Sequence, residues 1–89
     1  MTTHTSHPDI IKRLKRAEGH LKSIITMLEA DRGCLDIAQQ LQAVEHAVSN
    51  AKKTLVHDHI DHCLDHAVRE GKQSAGATIR EFKAITKYL

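Results

Sequence analysis

Aromatic residues are nearly absent from this 89-residue chain, which has no tryptophan, one phenylalanine (Phe82) and one tyrosine (Tyr88). Proline occurs once and glycine four times. A sheet sandwich is a poor match to this composition, whereas aliphatic and alanine-containing segments with few breakers suit helices packed on helices. We therefore expect an all-α protein that forms one domain over residues 1–89.

Cysteine is also scarce, since Cys34 and Cys63 are the only two. The N-terminus shows no export signal, so two distant cysteines do not indicate a disulfide framework. No segment approaches the run of about 18 apolar residues that a transmembrane helix needs. We expect a cytoplasmic protein without a membrane partner, in which both thiols are reduced and available as metal ligands.

The chain also lacks the features of an enzyme. A domain of this size has no room for a cleft between two lobes, and no acid/base pair stands out as an active site. A monomer of this length buries only about 60% of the surface of its unfolded chain, so association is a natural way to gain a core. We expect a binding protein that associates with itself.

Apolar residues recur with helical spacing in three segments. Residues 1–7 are predicted to be a flexible arm that carries His4 and His7, and Pro8 fits the first turn of a helix that ends near Glu29. Residues 31–33 are the predicted turn. No glycine or proline interrupts residues 34–70, which predicts a central helix of about 55 Å. A loop over residues 71–76 and a short final helix complete the prediction.

Three residues of the central helix point most directly to chemistry. His59 and Cys63 are four apart, so they share a helix face and can bind one metal ion. Cys34 lies 25 residues before His59, which is about 37 Å along a continuous helix. One chain cannot bring all three side chains to one ion, but a second, antiparallel copy can. The spacing therefore predicts a dimer with two metal sites shared between its subunits.

The donor set narrows the choice of metal without settling it. Two thiolates and one imidazole are soft donors that suit trigonal Cu(I). A fourth nitrogen donor would favour Ni(II), Co(II) or Zn(II), and its candidates are His4, His7 and His62. The alternative is structural, because a cysteine on an apolar stripe is usually a small buried side chain. The close spacing of His59 and Cys63 favours the metal site.

The formal net charge is only +2, but the basic residues are clustered. A basic patch on a small helical protein favours a polyanionic partner, although a solvated helix face would have the same composition. The first cluster lies near the N-terminus and the second lies in the central helix: Lys12, Arg13, Lys15 and Arg16, then Lys52 and Lys53.

Together these segments resemble the CsoR/RcnR/FrmR repressors, small helical bacterial regulators that sense copper, nickel and cobalt, or formaldehyde. The resemblance covers the chain from about Ile10 to Leu89. Its most specific parts are the basic segment RLKRAEGHL, the stretch from Cys34 through QQLQAVEHAVSNA, and the motif formed by His59 and Cys63. The closest pattern is that of the copper-sensing branch.

The resemblance implies an antiparallel four-helix-bundle dimer that assembles further into a tetramer, a dimer of dimers. It implies that the metal-free form binds operator double-stranded DNA, and that effector binding at the intersubunit site releases it and derepresses metal efflux or detoxification genes. Cys34, His59 and Cys63 fall on the positions that bind Cu(I) in the copper branch. The first basic cluster falls where the family contacts DNA.

The chain departs from the copper-branch pattern at two positions. The copper branch commonly has a tyrosine before the first cysteine and a glutamate on the last helix, and this chain has Gly33 and Ile79 at the expected places, with Glu81 two residues away. Thr2 stands where the cobalt/nickel pattern carries a histidine. The departures from the copper branch favour Ni(II) or Co(II) as an alternative effector. Thr2 departs from the cobalt/nickel pattern, so the N-terminal ligand would be the nearby His4 or His7.

Two other functions stay open at this stage. The chain is either a thiol sensor on the same scaffold, with Cys34 as the nucleophile towards formaldehyde or a persulfide, or a metal-binding bundle without DNA. The formaldehyde branch has no thiol at the position of Cys63. A bundle without DNA would leave the basic clusters as an ordinary solvated surface.

Overall fold

The computed structural model describes residues 5–70 and 72–89, with side chains described for all of these except residues 66, 67, 70 and 72–75. It consists of three helices: α1 spans His7–Glu29, α2 spans Cys34–Glu70 and α3 spans Lys72–Thr86. No strand occurs in these two ranges, which confirms the predicted all-α fold with a dominant central helix. Residues 1–4 of the predicted arm lie outside the described residues.

Helix α1 begins at His7, the last residue of the predicted arm, and ends at Glu29 as predicted. Ser6 is the N-cap and Pro8 lies in the first turn, where its missing N–H costs no hydrogen bond. At the other end Asp31 adopts a positive φ of 54°, and the amide of Arg32 donates to the carbonyl of Met27 at 3.0 Å. This contact pairs a carbonyl that the last turn would otherwise leave without a partner, so the chain can reverse direction before Cys34.

Helix α2 is unbroken over its 37 residues, so it is about 55 Å long. The longest dimension of the molecule is 59 Å, and it follows from the length of this helix. Helices α1 and α3 pack against α2, and among the described residues they do not pack against each other. Helix α2 is therefore the scaffold on which the other two helices position their side chains.

The predicted loop over residues 71–76 is wrong for residues 72–76, because α3 already begins at Lys72. Gly71 lies outside the described residues. Gly76 occupies a helical position where an added Cβ would meet no atom within 4 Å. A glycine inside a helix costs only about 1 kcal/mol relative to alanine, so packing of α3 on α2 outweighs it.

The core between α1 and α2 follows a seven-residue repeat. Its buried side chains are Ile10, Ala17 and Ile24 from α1, and Ile37, Val44 and Ala51 from α2. Farther along α2, Val56 and Cys63 are buried, and Thr78 of α3 is buried beside Cys63. Such regular spacing is typical of helices that pack with the geometry of a coiled coil.

A second seven-residue repeat lies four residues after the first one on each helix. Its side chains are between 38% and 55% exposed in the single chain: Leu14, Leu21 and Leu28 on α1, and Leu41, Val48 and Leu55 on α2. The hairpin that α1 and α2 form within one chain buries only one of the two apolar positions in each heptad. The predicted antiparallel dimer would bury the other position, and it stays a prediction. None of the helices in the described ranges has an apolar stretch long enough to cross a membrane.

Candidate metal centre

The three predicted metal ligands lie at opposite ends of α2. Cys34 is the first residue of the helix and is exposed. His59 and Cys63 lie 25 and 29 residues later on the same unbroken helix, so Cys34 is about 37 Å from His59 along the axis. Within one chain the structure therefore brings His59 and Cys63 together and keeps Cys34 apart.

His59 and Cys63 lie one helical turn apart and face α3. Cys63 is 4% exposed, and the side chain of His59 is 22% exposed. The Nε2 atom of His59 lies 2.9 Å from Oε1 of Glu81, a residue of α3. One ligand atom from each of these three residues lies within 4.8 Å of the other two. Among the described residues, this is the group of nitrogen, sulfur and oxygen donors that converges closely enough to hold a metal ion.

Glu81 is the site residue whose role sequence reasoning missed, since the glutamate of the family pattern was expected at Ile79. Ile79 instead lines an apolar groove of about 350 Å³ beside Cys63 and Phe82. Thr78, Glu81 and Ile85 have the 3-and-4 spacing of one helix face, and both Thr78 and Ile85 are at least partly buried. That spacing is the signal that places Glu81 on the edge of α3 nearest α2.

The surroundings of Cys63 favour the neutral thiol. Burial away from water raises the pKa of Cys63, and the nearby carboxylate of Glu81 raises it further. A metal ion binds the thiolate, so metal binding at Cys63 must displace this proton. Without metal, Cys63 is therefore favoured as a neutral and weakly nucleophilic thiol, unlike a cysteine that is activated for nucleophilic attack.

The candidates for a fourth ligand differ in their placement. His4 lies outside the described residues, and His7 is exposed as the first residue of α1. The side chain of His62 is partly buried, one residue before Cys63, but it is not a member of the converging group. The hydroxyl of Ser6 donates to Oδ2 of Asp58 at 2.6 Å. This hydrogen bond holds the start of α1 at the end of α2 that carries His59.

Half of the predicted DNA-binding residues converge in one groove between α1 and α2. The groove has a volume of about 400 Å³, and its polar lining comprises Asp9, Lys12, Arg13, Arg16, His20 and Asn50. Within it the Nε atom of Arg13 lies 2.8 Å from Oδ2 of Asp9. The other three predicted residues are exposed outside this lining: Lys15, Lys52 and Lys53.

The geometry of the groove is stabilised by a polar contact between the two helices. Nε2 of His20 and Oε1 of Gln40 are 2.5 Å apart and partly buried. Three cationic side chains against one carboxylate leave the groove with excess positive charge. Such a surface can bind phosphate groups of a polyanion.

Comparison with known proteins identifies a family and several similar regulators. The profile of a family described as metal-sensitive transcriptional repressors matches residues 6–88. The copper-sensing repressor CsoR of Mycobacterium ulcerans is 42% identical over 65 residues, which are 73% of this chain and 56% of that protein. CsoR of Bacillus subtilis is 40% identical over 80 residues, which are 88% of this chain and 79% of that protein. The matched segment thus spans little more than half of the Mycobacterium ulcerans relative.

A solved structure of similar fold belongs to a regulator that responds to a different metal. The structure of InrS, described as a nickel-responsive transcriptional regulator, matches with a TM-score of 0.84 and 27% sequence identity. The match covers 100% of this chain and 99% of that one. Copper-sensing proteins are thus similar in sequence and a nickel-responsive protein is similar in fold.

Proposed function

This chain belongs to the metal-sensitive transcriptional repressor family, and from that membership we propose that its metal-free form binds operator DNA and releases it on binding Cu(I). The family is one of transcriptional repressors, which are not enzymes. Release of the repressor would switch on the genes under its control, which we expect to serve metal efflux or detoxification.

The observation that carries the proposal is the separation of the cysteines on an unbroken helix. With Cys34 at one end of α2 and His59 and Cys63 near the other, a complete site needs a second, antiparallel copy. The exposed second heptad repeat on α1 and α2 offers the surface for such a copy. Cys34 of one subunit would then complete the site with His59 and Cys63 of the other.

Cu(I) is the proposed effector because of the chemistry of these donors. Two sulfur atoms and one imidazole nitrogen form a soft set of three, which suits Cu(I) better than harder ions. The similarity to copper-sensing repressors of two organisms, at 40% and 42% identity, supports the same choice.

The proposed DNA surface is the basic groove together with the exposed lysines outside it. Its cations would contact phosphates and position the protein on the duplex. The sparse aromatic residues and the regular helices favour recognition of DNA shape as well as of base edges. Coupling of about 1–3 kcal/mol between the metal site and this surface would change operator affinity about 5- to 150-fold.

The proposal is tested by separating metal response from DNA binding. Fluorescence anisotropy would follow reduced protein on a labelled duplex that spans the promoter of its own transcription unit, with and without Cu(I). Cys34→Ala should bind the duplex normally and keep it when Cu(I) is added. Arg13→Glu should still bind Cu(I) but lose the duplex, whereas Lys22→Glu, the same charge change on α1 outside the groove, should behave like the parent protein. Normal release by Cys34→Ala would refute the proposed site.

A Ni(II)-responsive repressor is the second candidate, and one contact favours it. The hydrogen bond from Ser6 to Asp58 holds the start of α1, and with it His7, at the His59 end of α2. An N-terminal histidine would bring a fourth donor, a nitrogen, to the two thiolates and one imidazole. Such a set of four donors suits Ni(II) better than the set of three does. The similarity in fold to the nickel-responsive InrS supports this candidate.

The two metals are distinguished by the same anisotropy experiment, read together with metal absorption. If Ni(II) is the effector, Ni(II) alone releases the duplex, and the absorption bands of planar Ni(II) thiolate change in His7→Ala or in His4→Ala. If Cu(I) is the effector, both histidine variants respond as the parent protein does. Co(II) or Zn(II) would be recognised by release without the planar spectrum.

A further inference from the structure

Two different donor sets share His59 and Cys63 in this fold. One set needs Cys34 of a second copy, which lies far away along α2. The other is already assembled inside one chain, because a carboxylate oxygen of Glu81 lies with the His59 nitrogen and the Cys63 sulfur in a group whose ligand atoms are all within 4.8 Å of one another. We propose that this second set is a divalent-metal site of the single subunit, with Glu81 as a direct ligand for Zn(II) or Co(II).

The chemistry of the three donors favours borderline divalent ions over Cu(I). One thiolate, one imidazole and one carboxylate are all common ligands of Zn(II), and water can complete a tetrahedral shell. Cu(I) is soft and gains little from a carboxylate oxygen, so it favours the set with two thiolates. The choice between Glu81 and Cys34 therefore decides which metal His59 and Cys63 bind.

The placement of Glu81 allows it to act as a ligand. Its side chain is 60% exposed, while His59 and Cys63 behind it are mostly covered. A carboxylate at the rim of the site can leave the His59 ring and turn towards an ion without disturbing the core. Because Glu81 belongs to α3 and the other two donors belong to α2, a bound divalent ion would fasten these helices together.

This inference goes beyond the proposed function, since it depends neither on DNA binding nor on a dimer. The competing interpretation is that Glu81 only orients the ring of His59. An orienting residue supports every metal that His59 binds, so its loss would weaken Cu(I) and Co(II) by similar factors. If Glu81 is instead a ligand of divalent ions, its loss would weaken the binding of Co(II) but not that of Cu(I).

The test is an anaerobic titration of the reduced full chain with Co(II), a spectroscopic substitute for Zn(II). We expect a thiolate-to-Co(II) charge-transfer band and tetrahedral d–d bands at one ion per chain, and we expect both to persist in Cys34→Ala. Glu81→Gln should weaken Co(II) binding by at least about tenfold and alter the d–d bands. Its affinity for Cu(I), measured by competition with a Cu(I) chelator, should stay close to that of the parent protein.

Two further variants complete the design. Glu45→Gln removes an exposed carboxylate from α2, about 21 Å from His59 along the axis, and should change nothing. Glu81→His offers a nitrogen donor from the same position, so it should recover part of the Co(II) affinity with shifted bands. Circular dichroism verifies that each variant keeps its helices.

Three results would overturn the inference. Loss of the thiolate band in Cys34→Ala would place divalent ions in the intersubunit set. Unchanged Co(II) affinity in Glu81→Gln, or equal weakening of Co(II) and Cu(I), would leave Glu81 as an orienting residue only. None of these readings uses DNA, so they stay separate from the anisotropy result that decides the proposed function.

Discussion

The two cysteines of this chain have opposite environments. Cys34 is exposed at the start of α2, whereas Cys63 is buried against α3. Burial, and then the carboxylate of Glu81, raise the pKa of Cys63. Because the thiolate is the reactive form, a raised pKa lowers the reactive fraction at any given pH. A thiol sensor that used Cys63 as its nucleophile would have to work against both effects.

This difference predicts the order in which the cysteines react with iodoacetamide. In metal-free protein at pH 8, Cys34→Ser, which keeps only Cys63, should be alkylated at least about tenfold more slowly than Cys63→Ser. Mass spectrometry over time gives the two rates, and both variants should react equally in denaturant. The rate at Cys63 should still rise at pH values where an ordinary thiol has levelled off. Glu81→Gln should shift that profile to lower pH, since it removes one cause of the raised pKa. Faster native alkylation of Cys63 than of Cys34 would contradict this description.

At the scale of single residues, sequence reasoning identified the pair His59 and Cys63 because spacing of four residues on a helix is a local property. The partnership of His59 with Glu81 is not local, since 22 residues separate them and only the packing of α3 on α2 brings them together. A count of positions along the family pattern placed the glutamate at Ile79, whereas the structure places Glu81 beside His59. The intersubunit role of Cys34 depends on assembly and stays a prediction.

At the scale of elements, the limits of α1 and the length of α2 could be predicted from periodicity and from the absence of breakers. The start of α3 could not be predicted from the sequence. Two glycines close together, Gly71 and Gly76, are typical of a loop, but the four residues between them are compatible with a helix. The deciding factor is the contact of α3 with α2, buried at Thr78 and Cys63. Tertiary packing commonly overrides a propensity of this size.

The helical position of Gly76 makes a stability prediction. Gly76→Ala should raise the free energy of unfolding by about 0.5–1 kcal/mol, because alanine favours the helix and its Cβ meets no atom within 4 Å. Thermal unfolding followed by circular dichroism measures the change, expected as a rise of a few degrees. Destabilisation by this substitution would indicate that residue 76 lies in a loop after all.

The seven-residue repeat predicts which of two adjacent isoleucines holds the hairpin together. Ile24 is 2% exposed in the core with Ile37 and Val44, whereas Ile25 is 55% exposed and outside both heptad repeats. Ile24→Ala should lower the free energy of unfolding by about 2–5 kcal/mol, because it removes buried methyl groups and leaves a cavity. Ile25→Ala, the matched control, should change it by only about 0.5 kcal/mol. Urea unfolding of both variants decides, and equal losses would mean that the hairpin is packed differently.

At the scale of the whole molecule, the length of α2 connects the core to the proposed site. A helix of about 55 Å is longer than either α1 or α3 alone, and it exposes a regular row of apolar side chains. The same length separates Cys34 from His59 and Cys63. An antiparallel second copy would cover the exposed row of apolar side chains. It would also place its own Cys34 beside His59 and Cys63 of the first copy.

Mixed dimers test that arrangement directly. Cys34→Ala and Cys63→Ala each remove one thiol from both sites of a homodimer, so neither variant alone should bind Cu(I) with two thiolates. A dimer formed from one copy of each contains one intact site, in which Cys34 comes from the Cys63→Ala subunit and His59 and Cys63 come from the other. Unfolding and refolding the two variants together should therefore restore tight Cu(I) binding to about a quarter of all sites, because half of the dimers are mixed. Chelator competition measures that fraction, and refolding each variant alone is the control. If mixing restored nothing while sedimentation showed dimers, the three ligands would not meet across the interface.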